Sequence, residues 1–421
     1  MSDIINPPAA ATAGLPQRNK KWHLKWVIPV TLVVVTAVIA VSIVVLKQDS
    51  PTVVWEVSVT GDPSDTFDDV AVAADGSVYT VGFTRRPASS PIPDKTVALV
   101  GKWSSVGDLL WERRDYGGDN WYDFSFLSAT TTSDGNLIAV GSADTGTAKQ
   151  AVVYCLAPNG DVVWSATIGE GRDNEFDGVA VAEDGNVVAV GHLDHGADGG
   201  DPGTGVVAKF GVDGVMMWTT AFRGLAGSSW DSLPDFNYIV WNAVAVADDG
   251  RIFVAGVDVQ NRQSLIASFS VDGNLIWAES LSESYSLDSV ALTADGNLIV
   301  GGGGGPAIAC YTAGGDLVWV RTQAQKPGDW GPTSFKDAAI TPSGEIVFIG
   351  ACNAYALCDD AGALIVTVKP DGVITGTKTM GQGTSSYFSG VAMSLNGDVI
   401  VAGCLRHSNH SCSLIAALRI T

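Results

Sequence analysis

The sequence predicts an all-β fold, a seven-bladed β-propeller, preceded by one transmembrane helix. Three observations predict it: a hairpin pattern written seven times, a second hairpin following each copy, and one long uncharged stretch near the N-terminus. The first hairpin is clearest at 176–191, FDGVAVAEDGNVVAVG. Val179–Ala182 and Val187–Val190 read there as short strands, joined by Asp184-Gly185 as a two-residue turn.

The same frame recurs with a turn glycine at Gly76, Gly135, Gly185, Gly250, Gly296, Gly344 and Gly397. Six residues after each stands another: Gly82, Gly141, Gly191, Gly256, Gly302, Gly350 and Gly403. Turn-to-turn spacings of 46 to 65 residues suit propeller blades better than helical solenoids. A glycine near a strand end supplies φ freedom or lets another backbone come close. Before each first strand sits Phe67, Phe126, Phe176, Trp241, Leu287, Phe335 or Phe388, which we expect to be wedged between neighbouring blades.

The second hairpin, as in AKFGVDGVMMW and ASFSVDGNLIW, ends on Trp111, Trp164, Trp218, Trp277 or Trp319, with Gly376 in the degenerate sixth copy. Four strands per repeat make one blade. This alternation of VAVxxDGxxxVxG and AKFxxDGxxxW hairpins resembles the bacterial seven-bladed beta-propeller repeat family over residues 52–421 and, more loosely, quinoprotein-type propeller repeats. In the latter a fourth-strand Trp docks blade to blade, and the resemblance implies the same role here. It implies a fold rather than an activity. Residues 413–420 supply only the third strand of the last repeat, so Val53–Val59, with Trp55 at the docking register, is expected to complete that blade and leave no open edge.

Residues 1–25 form a basic tail with Arg18, Lys20, Lys21 and Lys25. Trp26 to Leu46 carries no charge over 21 residues. At ~1.5 Å per residue that is enough for a ~30 Å hydrocarbon core. The basic flank puts the N-terminus in the cytoplasm and the propeller outside it, at the plasma membrane, after a short linker at 47–51. A cleaved signal peptide is the competing reading, with Val38 and Ala40 at small-residue positions.

Without the tail and flank the chain has 19 basic and 43 acidic residues, a net charge of −24. Such a surface repels nucleic acid and anionic headgroups and favours cations or basic partners. In an oxidising location Cys352 and Cys358, and Cys404 and Cys412, each bracket a short loop and are expected as disulfides. Each would contribute ~2 to 3 kcal/mol on a chain-entropy estimate. Cys155 and Cys310, three blades apart, are expected as free buried thiols.

With alternating strands, both hairpin turns of a blade emerge on one face and the long connections on the other, where function belongs. That face carries insertions at 83–96, 192–204, 223–240 and 322–334. It also carries Trp121, Tyr122, Trp230, Phe236, Tyr238 and Trp330, candidate anchors for a protein or glycan partner. Acidic stretches (Asp62, Asp65, Asp68, Asp69; Asp119, Asp123; Glu170, Asp173, Glu175, Asp177) could hold Ca²⁺, although none has EF-hand spacing. His192 and His195 lack a third fixed zinc ligand, and the His407 and His410 loop lacks a second cysteine pair.

No GxSxG, HExxH, phosphate loop or dinucleotide fingerprint occurs, so no catalytic residues are assigned. The expectation is a membrane-anchored binding or scaffold module, as in an envelope complex. The alternative is a polysaccharide lyase or hydrolase, in which Asp69 and Asp337 would converge in the central channel with a His or Arg.

Overall fold

The computed structural model describes residues 51–59, 65–85, 95–114, 116, 122–169, 171, 173–194, 203–223, 238–281, 286–303, 307–322, 334–352, 361–381, 386–407 and 410–420. The expected membrane span at 26–46 lies outside them. Among the described residues no helix is long and apolar enough to cross a membrane.

The described strands form seven four-stranded antiparallel sheets, one per repeat. Blade 1 consists of Thr66–Val72, Val78–Arg85, Thr96–Trp103 and Leu109–Arg114, hydrogen-bonded in chain order, and blades 2 to 6 follow the same plan. Blade 7 takes Tyr387–Met393, Val399–His407 and His410–Arg419 from the C-terminal end and Thr52–Val59 from the other. Val53 pairs with Leu418 and Val59 with Ser413, so the ring closes as its repeat count requires.

Two local expectations are corrected. The Asp184-Gly185 turn is not the two-residue kind: the Gly185 amide donates to the Ala182 carbonyl (2.9 Å), and the Ala182 amide to the Asn186 carbonyl (2.9 Å). Only Gly185 takes positive φ, +81°, as in a turn closed by a glycine bulge. Asp184 instead accepts the Asn186 amide at 3.0 Å.

The first strands are also longer than the alternation suggests. In blade 3 the strand runs Asn174–Val181, so Phe176 lies inside it. A register shift between Phe176 and Gly178 explains the difference, because an extra residue breaks the period of two and hides the strand's first half. The shift recurs in every blade, after Phe67, Phe126, Trp241, Leu287, Phe335 and Phe388.

The wedge residues are buried in all seven blades. Phe176 packs on Ile138, Val140 and Val153 of blade 2 as well as on its own sheet, and Phe388 on Val347 and Ile349 of blade 6. Each wedge has a second glycine as cross-strand partner, Phe176 opposite Gly191 and Phe67 opposite Gly82. A Cβ on Gly191 would collide with the Glu175 carbonyl oxygen, so close backbone approach fixes this glycine.

Six tryptophans dock blade to blade. Trp55, Trp111, Trp164, Trp218, Trp277 and Trp319 each donate Nε1–H to a carbonyl in the third-to-fourth-strand turn of the next blade: Ser105, Pro158, Val212, Val271, Ala313 and Pro370. Gly376 holds the Trp register in blade 6. Blade 7 has no such turn, because its third and fourth strands are the two ends of the propeller chain. Lys378 Nζ donates to the Pro51 carbonyl there instead.

Cys155 and Cys310 are free and buried, as expected, and burial pushes both thiols up to about 11. Cys352 ends its strand buried, while Cys358 lies outside the described residues. The final hairpin pairs Cys404 with Ser413 and Cys412 with Leu405, so this register does not set the expected partners opposite one another.

Candidate functional site

The recurrent bulge places one unpaired residue per blade at the centre of the ring: Asp68, Leu127, Asp177, Asn242, Asp288, Lys336 and Ser389. All seven line a central cavity of about 180 Å³. A bulge re-aims the residue that leaves the ladder, which makes this ring a product of backbone geometry rather than of side-chain type. Its members could have been found in the sequence as the residues directly after the wedges.

The next position contributes Asp69 and Asp337, both half-buried at the cavity wall. Asp69 accepts the Val70 amide (2.7 Å), the Ser128 hydroxyl (3.0 Å) and the Ala129 amide (2.8 Å), tying blade 1 to blade 2. Asp337 accepts the Ala338 amide (2.7 Å) and the Val391 amide (2.9 Å), tying blade 6 to blade 7. Burial raises Asp69 to about 6 against these hydrogen bonds, and burial together with the Asp69 charge raises Asp337 well above the carboxylate range. Both therefore line the channel, but as clamps on backbone amides. Among the described residues that line the cavity there is no His or Arg.

The ring carboxylates differ in how they are partnered. Asp288 accepts from Lys336 Nζ (3.1 Å), Asn242 Nδ2 (3.1 Å) and the Ser286 hydroxyl (2.5 Å). Asp177 faces His192 Nδ1 at 3.6 Å, and Asp173 faces the other ring nitrogen, Nε2, at 3.5 Å. Burial opposes the charge of His192, but the two carboxylates outweigh it and lift the imidazole to about 9. The same contact holds Asp173 well below the usual range. Burial raises Asp177 to about 6. Asp68 stands apart: its Oδ2 is shut off from solvent without a hydrogen-bond partner, and burial, then the charges of Asp69 and Glu175, raise it to about 8.

Of the six aromatic candidates, Trp121, Trp230, Phe236 and Trp330 lie outside the described residues. Tyr122 is 38% exposed and carries the Lys95 ammonium 3.7 Å above its ring. Tyr238 is half-buried, edge-on to His192 with ring centroids 5.5 Å apart.

The acidic stretches are largely drawn into ion pairs. Asp65 binds Arg114 through both oxygens (2.8 and 2.7 Å), and Lys149 joins Glu175 (2.6 Å) to Asp173 (3.1 Å). Among the described residues no three His, Cys, Asp or Glu side chains lie close enough to hold one bare metal ion.

No family model and no curated protein sequence matches the chain. Solved structures do. A virginiamycin B lyase from Staphylococcus aureus, in an inactive form with quinupristin, aligns with a TM-score of 0.55 at 12% identity, covering 87% of this chain and 99% of that one. The WD40 propeller domain of Doa1 aligns with a TM-score of 0.54 at 16% identity, covering 89% and 98%. Hydrazine synthase from Kuenenia stuttgartiensis aligns with a TM-score of 0.53 at 11% identity, covering 82% and 94%. What they share with it is the fold. At these identities neither activity nor ligand transfers, and a propeller serves a lyase and a WD40 domain equally well.

Proposed function

We propose that this protein is a membrane-anchored, extracytoplasmic β-propeller of the bacterial seven-bladed repeat type, acting as a binding or scaffold module in an envelope complex. One observation carries the reading: the two faces are built differently. The turn face is spent on the fold, in seven near-identical first-hairpin turns and six indole docks. On the other face the blade-to-blade connections are unequal, from the short 282–285 link to the long 223–238 link. Unequal loops on a rigid ring are where recognition residues collect. The apolar span at 26–46 and the acidic exterior support an exported, anchored module, and a Cys352–Cys358 bond would suit that compartment.

The enzyme reading loses its main carboxylates, because Asp69 and Asp337 are engaged by backbone amides. A photo-crosslinking residue at Tyr122 on the connection face, compared with one at Val212 on the turn face, tests the proposal in native membranes. We expect a discrete protein adduct, or glycan capture on an array, from the Tyr122 position alone. Equal or absent capture at both positions would overturn it.

A further inference from the structure

Blade 7 ends differently from the other six on the turn face. In blades 1 to 6 the turn between the third and fourth strands carries an aspartate: Asp108, Asp161, Asp213, Asp272, Asp316 or Asp371. Blade 7 has no such turn and no such acid, because its third and fourth strands are the two ends of the propeller chain. The acid after its first-hairpin turn, Asp398, is buried, and Arg419 reaches both its oxygens at 2.7 and 3.0 Å. What this end presents instead is apolar. Leu395, in the first-hairpin turn, is 67% exposed, more than any other large apolar side chain among the described residues. Val53 and Val54 stand exposed at the start of the outer strand. Leu395 and Trp55, the neighbour of Val54, line one hollow of about 140 Å³, so the apolar residues share one end of the blade. Across that hollow Asp75 of blade 1 faces Lys102 at 3.9 Å, and Glu56 lies farther along the strand toward the connection face. Other outer strands also begin with exposed apolar pairs, such as Leu109 with Leu110, but each of those follows a turn aspartate.

The course of the chain supplies an apolar neighbour for this end. On the anchored reading above, on which this inference rests, the uncharged stretch 26–46 is followed only by the linker 47–51 before Thr52 opens the outer strand. Five residues reach at most about 18 Å when fully extended. The strand start that carries Val53 and Val54 is therefore tethered to the bilayer surface. We propose that the turn end of blade 7 docks on the lipid bilayer that anchors the chain, with Leu395, Val53 and Val54 entering its interfacial layer. The Arg419 and Asp398 pair brings no net charge into that layer. Acidic turns are repelled by anionic headgroups, which disfavours blades 1 to 6 as the resting point. Exposed apolar side chains bind a membrane interface in proportion to the area they bury there. The disc then leans on one blade and leaves its connection face open to partners.

The test places a photo-crosslinking residue at Leu395, Val54, Val212 or Thr147 of the full chain, reconstituted in phosphatidylcholine vesicles. Val212 is an exposed control on the turn face of blade 3, and Thr147 an exposed control on the connection face of blade 2. We expect phosphatidylcholine adducts from Leu395 and Val54 and none above background from the two controls. Leu395→Glu, which repeats what blade 3 carries at Glu183, should lower the adducts at Val54 by about tenfold, roughly the worth of one buried leucine. Adducts equal at all four positions, absent from Leu395 and Val54, or unchanged by Leu395→Glu would overturn the proposal. So would a chain-to-chain adduct at Leu395 in place of lipid, which would assign the patch to a second copy. Sodium carbonate extraction of the same vesicles separates this from the anchored reading. A chain that carbonate releases overturns the anchor and the docking with it, whereas a chain retained without lipid adducts overturns the docking alone.

Discussion

Six of the seven blade joints carry an indole dock and the seventh does not, yet all seven carry a wedge. The joint between blades 6 and 7 has Phe388 buried against Val347 and Ile349, but Gly376 where a Trp would stand. The difference separates two roles that the repeat presents together. The wedge serves the blade interface and is needed wherever two sheets pack. The indole serves the turn of the next blade, and it is absent where the next blade has ends instead of a turn.

The sharpest way to break the comparison is to remove wedges at both kinds of joint. Phe388→Ala and Phe176→Ala should each destabilise by about 3 to 5 kcal/mol, since both leave large buried cavities. Denaturant unfolding would check this. A much smaller loss for Phe388→Ala would mean that the seventh joint is held by something other than its wedge.

A smaller effect concerns the ring inside the joints. Asp68 sits at about 8 when folded against an ordinary 3.8, and His192 at about 9 against 6.5. In both cases the folded chain holds a proton that the unfolded chain has released, so stability falls as pH rises. For Asp68 the fall spans roughly pH 4 to 8, and for His192 it runs from about 6.5 through 9. In metal-free buffer Asp68→Asn should match the parent at pH 4 and exceed it by about 1 to 3 kcal/mol at pH 8, the usual cost of a buried unsatisfied group. Thermal unfolding across that range reads it directly, and a variant weaker than the parent at pH 8 would contradict the assignment.

Trp218→Phe keeps an aromatic ring but loses the 3.2 Å bond to the Val271 carbonyl, and should cost about 1 kcal/mol. Gly376→Trp adds an indole at a buried strand position where no turn can receive it, and should cost about 1 kcal/mol or more through overpacking. A clear gain would show that indoles stabilise a joint without docking.

Much of this was legible because the repeats carry their own controls. Wedges, turn glycines and docking tryptophans stand in constant register, and the missing last strand pointed to Val53–Val59. What could not be read was the bulge. It adds a residue at the point where a two-residue period is needed to recognise a strand, so Phe176 seemed to precede a strand that in fact begins at Asn174. The channel ring was hidden for the same reason. Its members, Asp68, Leu127, Asp177, Asn242, Asp288, Lys336 and Ser389, share a position but no chemistry, so composition gave no signal. The contact of His192 with Asp173 and Asp177 depends on a fold in three dimensions, and only the nearness of acids in sequence hinted at it.

The closure of blade 7 also sets an order of events in synthesis. Thr52–Val59 leaves the ribosome before every other strand, while its partner, His410–Arg419, is made last. Until then the first strand has an unpaired edge, and blade 1 lacks the Ser389 hydroxyl that donates to the Phe67 carbonyl at 2.7 Å. Contacts between the two extremes of a chain form late and carry a large loop-closure cost. Assembly therefore resembles fastening a belt: the blades can stack as they appear, but the ring has neither its full stability nor its edge protection until the final strand arrives.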